Sequence, residues 1–351
     1  MRASREIRAH TGLRGIAALM VVLYHYRQNL TGNLNPDLYS GIAASSHVFV
    51  DLFFVLSGFI IAMVYGGAQD WGSYIRNRIA RIYPLHFVTT IVSLLIVVAL
   101  KGGRVPDVAP QAVTHLLMVH GWGFHSAYIL NYPSWSISVE FAAYLVFPLI
   151  LWASRSPLSR LILLGVIVTV YGGLQWYGLG LELHERWPLA RGIPGFALGV
   201  LVFRWRSATQ NWPDAGITGV QMATASAMLC LMHYSLKGTY LVLPMALLVI
   251  LTWEDRGILA RFLGSTIPHY VGVLSYGIYL WHIPVRYLWY YAWPQLGING
   301  EYAAVLFVGL CIVSTVIAAA MSYAFFERPA RRWIRDRGIQ RRAKGSELSD
   351  A

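Results

Sequence analysis

Residues 11–30 read TGLRGIAALMVVLYHYRQNL. At 1.5 Å per residue such a run crosses a hydrocarbon core of about 30 Å. Arg2, Arg5 and Arg8 precede it, as basic residues precede a secretory signal. But Arg14 and His25 interrupt the apolar run, and no convincing cleavage site follows. The segment is therefore expected to stay as a transmembrane helix. On its helix Arg14 and His25 lie eleven positions apart, about 20° past three full turns, so both share one face. They are separated along the axis by about 16 Å, half the membrane.

Outward from this helix, similar apolar stretches recur near 47–66, 84–101, 135–154, 158–178, 190–205, 216–234, 239–253, 271–292 and 302–326. The chain is 56% hydrophobic and 13% charged, with a mean hydropathy of +0.51. Soluble domains carry about a quarter charged residues, so most of this surface faces something other than water. The expected fold is all-α, a polytopic membrane protein of about ten transmembrane helices. Residues 1–335 would form the membrane domain, and 336–351 a basic, disordered cytoplasmic tail.

The net charge of +12 is explained by topology. With ten spans, Arg2, Arg5, Arg8, Arg76, Arg78, Arg81, Arg155, Arg160, Arg204, Arg206, Arg256, Arg261 and the tail arginines fall on one side. Lys101, Arg104, Arg186, Arg191 and Lys237 fall on the other. The positive-inside rule then makes both termini cytoplasmic. No nucleic-acid partner is needed; the tail would touch anionic lipid headgroups. Cys230 and Cys311 sit in apolar stretches and are expected to be small buried hydrophobes, not a disulfide. The connection 102–134 holds His115, His120 and His125. Steps of five rotate by about 140° on a helix, so these histidines share no face and no metal site is expected.

Ionisable side chains at membrane depth are costly and mark function. Asp51 and Glu140 enter from the outer side, and either is expected to orient His25 as a general base or to pair with Arg27 or Arg286. Ser275, Tyr279, His282 and Arg286 recur at i, i+4, i+7 and i+11, one polar stripe on an apolar segment. On the cytoplasmic side Arg78 and Arg81 share a face at what reads as a helix start, closed by Tyr83-Pro84. Two guanidinium groups at that spacing suit phosphates.

Taken in order, Gly12-Leu13-Arg14-Gly15 with His25, residues 50–59 (VDLFFVLSGF), Arg78 to Pro84, residues 133–140 (PSWSISVE), residues 274–282 (LSYGIYLWH) and Phe326-Glu327-Arg328-Pro329 resemble acyltransferase family 3. These membrane proteins O-acylate sugars of bacterial envelope and secreted polysaccharides, exopolysaccharide and the O-antigen of lipopolysaccharide among them. The resemblance implies that Arg14 and His25 form an essential pair with His25 as proton acceptor. It implies that Arg78 and Arg81 hold the phosphates of a cytoplasmic acyl-CoA, with acetyl-CoA the commonest donor. Glu140, Tyr279 and His282 fall on motif positions without a settled role. Many relatives append a soluble esterase-like domain after the last helix. None is expected here, so transfer would occur in the membrane domain or need a separate partner.

The expected site therefore comprises His25 with Asp51 and Glu140, the donor-binding Arg14, Arg78 and Arg81, and a substrate pocket of Tyr279, His282, Arg286 and Trp135. It needs no resident cofactor or metal, only acyl-CoA as co-substrate and a polysaccharide or lipid-linked oligosaccharide as acceptor. Direct transfer and an acyl-histidine intermediate both remain open. The expected location is the bacterial inner membrane, and association with further copies of the chain is open. Outside this class stand a transporter or flippase of an anionic or sugar substrate, and a scaffold without chemistry. Within the class, a small-molecule glycoside such as a macrolide is an alternative acceptor.

Overall fold

The computed structural model describes residues 6–30, 36–67, 70–100, 108–125, 127–179, 181, 187–236, 238–300 and 302–334. The basic tail, residues 101–107 and the chain start lie outside the described residues. Among those described there are helices and no strands. In chain order the helices are α1 (Arg8–Tyr26), α2 (Pro36–Ser45), α3 (Phe49–Tyr65), α4 (Trp71–Leu100), α5 (Val108–Leu116), α6 (Trp135–Ala153) and α7 (Pro157–Trp176). They continue with α8 (Pro188–Trp205), α9 (Asp214–His233), α10 (Val242–Thr252), α11 (Ile258–Leu263), α12 (Thr266–Ala292) and α13 (Ala303–Ser322). A π-turn over Tyr323–Glu327 carries α13 on, helical as far as Ile334.

Each of the ten apolar stretches lies on a helix, and six helical segments among the described residues are long and apolar enough to cross a membrane. α1, α8 and α12 are not among the six, because they carry the polar residues of the interior. The protein is a membrane protein whose outward faces are apolar; Leu149, Leu161, Val168 and Phe325 stand exposed on them. The window through Gly41–Tyr65 is 72% buried, whereas that of Pro157–Trp176 is 17% buried. α3 is thus a central helix and α7 a peripheral one.

Two close helix pairs form the centre, α1 with α12 and α3 with α8. A Cβ on Gly15 would stand 2.6 Å from the Gly272 nitrogen, so only glycine lets α1 and α12 touch along their backbones. Gly58 and Gly199 do the same for α3 and α8, facing the Phe196 and Val55 carbonyls.

Proline inside α4, α6, α8 and α12 leaves carbonyls without their helical donor, and in hydrocarbon each must find another. Pro148 frees the Tyr144 carbonyl, which accepts from Tyr74 Oη at 3.0 Å. Pro284 frees the Leu280 carbonyl, which accepts from Asn131 Nδ2 at 2.9 Å. Near Pro84 the Ile82 carbonyl accepts from Tyr276 Oη. That corrects one expectation: Tyr83-Pro84 does not close a helix start, since α4 runs unbroken from Trp71 to Leu100. Arg78 and Arg81 therefore lie within the first half of a long helix and not at its start. Cys230 is exposed on α9 and Cys311 buried on α13, both free.

Candidate active site

α1 ends at His25 and Tyr26 beside the Pro284 bend of α12. Tyr26 Oη donates to the His282 carbonyl at 2.7 Å, and Arg286 Nη1 donates to the His25 carbonyl at 3.0 Å. These bonds fix the two helix segments against one another, and with them two imidazoles. His282 Nδ1 lies 2.6 Å from the Tyr279 carbonyl, and its Nε2 lies 2.9 Å from His25 Nδ1. A carbonyl only accepts, so His282 Nδ1 carries the hydrogen. In the neutral ring Nε2 is then bare, and His25 Nδ1 must donate to it. His25 Nε2 is left with its lone pair, and the ring lines a cavity of about 460 Å³.

The cavity walls are aromatic and cationic: Tyr24, Tyr132, Trp135, Arg27, Arg191 and Arg286 among them. Tyr279 Oη donates to the Pro133 carbonyl at 2.7 Å and takes Ser136 Oγ at 2.7 Å, which ties α12 to the start of α6. Trp135 sets its ring 5.1 Å from the Arg191 guanidinium. So the expected pocket residues Trp135, Tyr279, His282 and Arg286 do converge on His25.

The two carboxylates do not. Asp51 is fully buried and held by Arg191, whose Nε lies 3.1 and 3.2 Å from its two oxygens and whose Nη2 lies 2.7 Å from Oδ2. Arg191 also donates to the His47 carbonyl at 3.1 Å. The expectation that Asp51 orients His25, or pairs with Arg27 or Arg286, is corrected on this geometry. A carboxylate without water takes the bidentate guanidinium nearest to it, and α8 supplies one. Glu140 accepts from Ser57 Oγ at 2.6 Å and from Tyr144 Oη at 2.5 Å. It too makes no hydrogen bond to His25. The nitrogen that orients His25 belongs to His282, which the sequence placed only as a pocket residue.

Glu140 and Arg14 instead line two smaller cavities deeper in the protein. One, of about 40 Å³, lies among Phe53, Phe54, Ile137 and Tyr279; the other, of about 70 Å³, reaches Arg78 and Arg81. A fourth cavity of about 250 Å³ opens beyond them, lined by Tyr65, Asn77, Arg78, Arg81, Arg331 and Arg332. Successive cavities share walls: Val50 and Tyr279, then Arg14, Ser57, Glu140 and Tyr276, then Arg78 and Arg81. The series therefore runs from the histidine pair to a cluster of arginines, along the Arg14–His25 face of α1. The smallest cavity of the series is the one at Phe53, whose ring meets Tyr279 edge-on at 5.9 Å. Arg14 lines both of the smaller cavities, and Arg78 lies over the Tyr65 ring at 5.1 Å.

The histidines of the 102–134 connection form a stack instead of a ligand set. His115 and His120 stack at 3.7 Å with planes 10° apart, and His86 of α4 lies on His120 at 5.5 Å. Parallel rings aim their lone pairs along parallel planes, which do not meet at one ion. His125 bonds Thr114 instead, at 2.7 Å. Among the described residues no group of three His, Cys, Asp or Glu is placed to hold a metal ion.

Sequence reasoning missed Tyr24, Arg27 and Tyr132 as walls, Arg191 as the partner of Asp51, and Arg331. The stripe of α12 was the signal that led to His282. Arg191, counted among outer loop cations, gave no signal of its own.

Residues 8–323 match the family model described as acyltransferase domain. The acyltransferase MdmB of Streptomyces mycarofaciens is 27% identical over 92% of this chain and 91% of its own length. YrhL of Bacillus subtilis (strain 168), provisionally named a peptidoglycan O-acetyltransferase, is 25% identical over 93% of this chain and 55% of its own. SACOL0978 of Staphylococcus aureus (strain COL), provisionally named an O-acetyltransferase, is 26% identical over 93% of this chain and 58% of its own. The chain thus spans little more than half the length of those two relatives. No solved structure matches.

Proposed function

The chain belongs to the acyltransferase domain family and is an acyltransferase enzyme, and we propose that it moves an acetyl group from cytoplasmic acetyl-CoA to a hydroxyl of a cell-surface or secreted polysaccharide or its lipid-linked precursor. The observation that carries this is the hydrogen-bonded pair His25–His282 at the end of a cavity series that begins among arginines. The names of the Bacillus and Staphylococcus relatives favour O-acetylation.

In this mechanism the donor's phosphates rest against Arg78 and Arg81, and its pantetheine arm runs past Arg14 and Glu140. Its extended length, about 15–20 Å, compares with the Arg14–His25 rise of about 16 Å. The acceptor sugar enters the large cavity against Trp135 and Tyr132. His25 Nε2 takes the hydroxyl proton as the oxygen attacks the thioester carbonyl. The C–S bond then breaks, and the proton passes from His25 to the departing sulfur. His282 is a positioning residue that holds His25 in the tautomer the step needs. Asp51 acts at one remove, fixing Arg191 in the cavity wall.

The same proposal sets ten helices across a bacterial inner membrane with both termini cytoplasmic, so the arginine end faces the acyl-CoA pool and the His25 cavity faces outward. Residues 1–335 then form the working membrane domain. The test uses inverted membrane vesicles given acetyl-CoA labelled in its acetyl group. Label in alkali-labile esters of the polysaccharide fraction, dependent on this protein, supports the proposal. Sugar or anion flux without acetyl-CoA turnover overturns it in favour of a transporter.

A further inference from the structure

The cavity at the cytoplasmic end carries more cationic charge than two arginines explain. Arg78, Arg81, Arg331 and Arg332 line it, and no carboxylate does. Glu327 stands just behind, 3.7 Å from Arg81. Arg331 Nε and Nη2 are buried without a hydrogen-bond partner, and so is Arg78 Nε. Buried donors without acceptors are rare in folded proteins and expensive. Here they belong to guanidinium groups in a cavity wall, where an anion would satisfy them.

The backbone delivers Arg331 to that wall. The π-turn Tyr323–Glu327 adds a residue to the helical repeat, which turns everything after it by about 100° relative to a continuous α-helix. Without that turn, the residue four places beyond Glu327 would fall on another face. Such turns interrupt helices chiefly where a site needs them.

We propose that Arg331, with Arg332 beside it, forms a second phosphate subsite that binds the terminal 3′-phosphate of the donor nucleotide, separate from the pyrophosphate held by Arg78 and Arg81. This rests on the acyl-CoA reading above and goes beyond it, because it makes the enzyme discriminate CoA thioesters from those ending in a single phosphodiester. A phosphomonoester carries close to two negative charges and three strong acceptor oxygens, which matches the unpartnered donors of Arg331 with the Arg332 guanidinium in the same cavity wall.

The test compares acetyl-CoA with acetyl-3′-dephospho-CoA as donors to the full-length protein in vesicles. The wild type is expected to prefer acetyl-CoA by about tenfold or more in kcat/KM, most of it in KM. Arg331→Gln should bring that ratio near one, lowering kcat/KM for acetyl-CoA far more than for the dephospho donor, and Arg331→Lys should keep part of it. Binding of adenosine 3′,5′-bisphosphate to the solubilised protein, expected to be tighter than that of 5′-AMP, checks the same point without turnover. If Arg331→Gln slows both donors equally, or neither, the subsite is overturned. If the effect of Arg331→Gln follows the anionic lipid content of the vesicle and not the donor, Arg331 meets lipid headgroups and the subsite is again overturned. A wild type inert toward both donors overturns the acyl-CoA reading itself, and the subsite with it.

Discussion

His25 Nδ1 lies 2.9 Å from His282 Nε2, a hydrogen bond between residues 257 positions apart in the chain. Because His282 Nδ1 is committed to the Tyr279 carbonyl at 2.6 Å, only one neutral tautomer fits, and it leaves His25 Nε2 basic. His282→Ala removes the acceptor for His25 Nδ1 and frees the ring. We expect kcat to fall by about 10- to 100-fold, less than the roughly 10²–10⁴ of a lost general base. His282→Gln, whose carbonyl can take the same hydrogen, should recover part of it. KM for acetyl-CoA should stay within about twofold in both, measured by thiol release.

Asp51 and Arg191 are a buried pair, 0% and 2% exposed. Removing one partner of such a pair costs about 3–5 kcal/mol, because the other charge stays buried alone. Asp51→Ala should therefore lower the thermal midpoint of the solubilised protein by several degrees, and Arg191→Ala likewise. His25→Ala, which strands no charge, should leave it unchanged. An Asp51→Ala protein as stable as the wild type would return Asp51 to the list of catalytic candidates.

In the proposed mechanism the donor crosses the 40 Å³ cavity at Phe53 and Tyr279 acyl-end first. Short acyl groups pass more readily than long ones. Phe53→Ala should raise the rate with butyryl-CoA relative to acetyl-CoA by about tenfold, read in a competition assay. An unchanged ratio would show that the acyl chain is selected elsewhere.

The histidine stack gives the 102–134 connection a pH dependence. Burial pushes His115 down to about 3, helped by the neighbouring His86 and His125 charges, and holds His120 well below the ordinary histidine range. In the unfolded chain both would protonate near pH 6.5. A depressed folded value means the stabilisation is fully present above about pH 6.5 and is lost as pH falls towards 3. The protection of amides over Val108–Leu116, corrected for the intrinsic pH dependence of exchange, should thus fall between about pH 7.5 and pH 5, and less so in His115→Gln. Equal protection at both values would count against the neutral stack.

Much of the fold was legible because hydrocarbon imposes a simple rule: helices of about 20 apolar residues with internally satisfied backbones. The stripe Ser275–Tyr279–His282–Arg286 betrayed the inner face of α12 for the same reason. Pro84 misled, since a proline within a long helix can be carried through when the surrounding helices pack around it, and α4 runs on past it to Leu100. Asp51 misled in a similar way. Depth and face can say that a carboxylate needs a partner, but not that α8 carries Arg191 to it sooner than α1 brings His25. Pairings of this kind depend on which helices become neighbours, and Gly15 against Gly272 and Gly58 against Gly199 decide that only once the helices are packed.

The central claim is that His25 is the base in acetyl transfer from CoA. The most direct measurement is the incorporation of labelled acetyl from acetyl-CoA into polysaccharide by membranes holding equal amounts of folded wild type and His25→Ala. The account predicts a loss of about 10²-fold or more in kcat with acetyl-CoA binding retained. Incorporation by His25→Ala at the wild-type rate would contradict it.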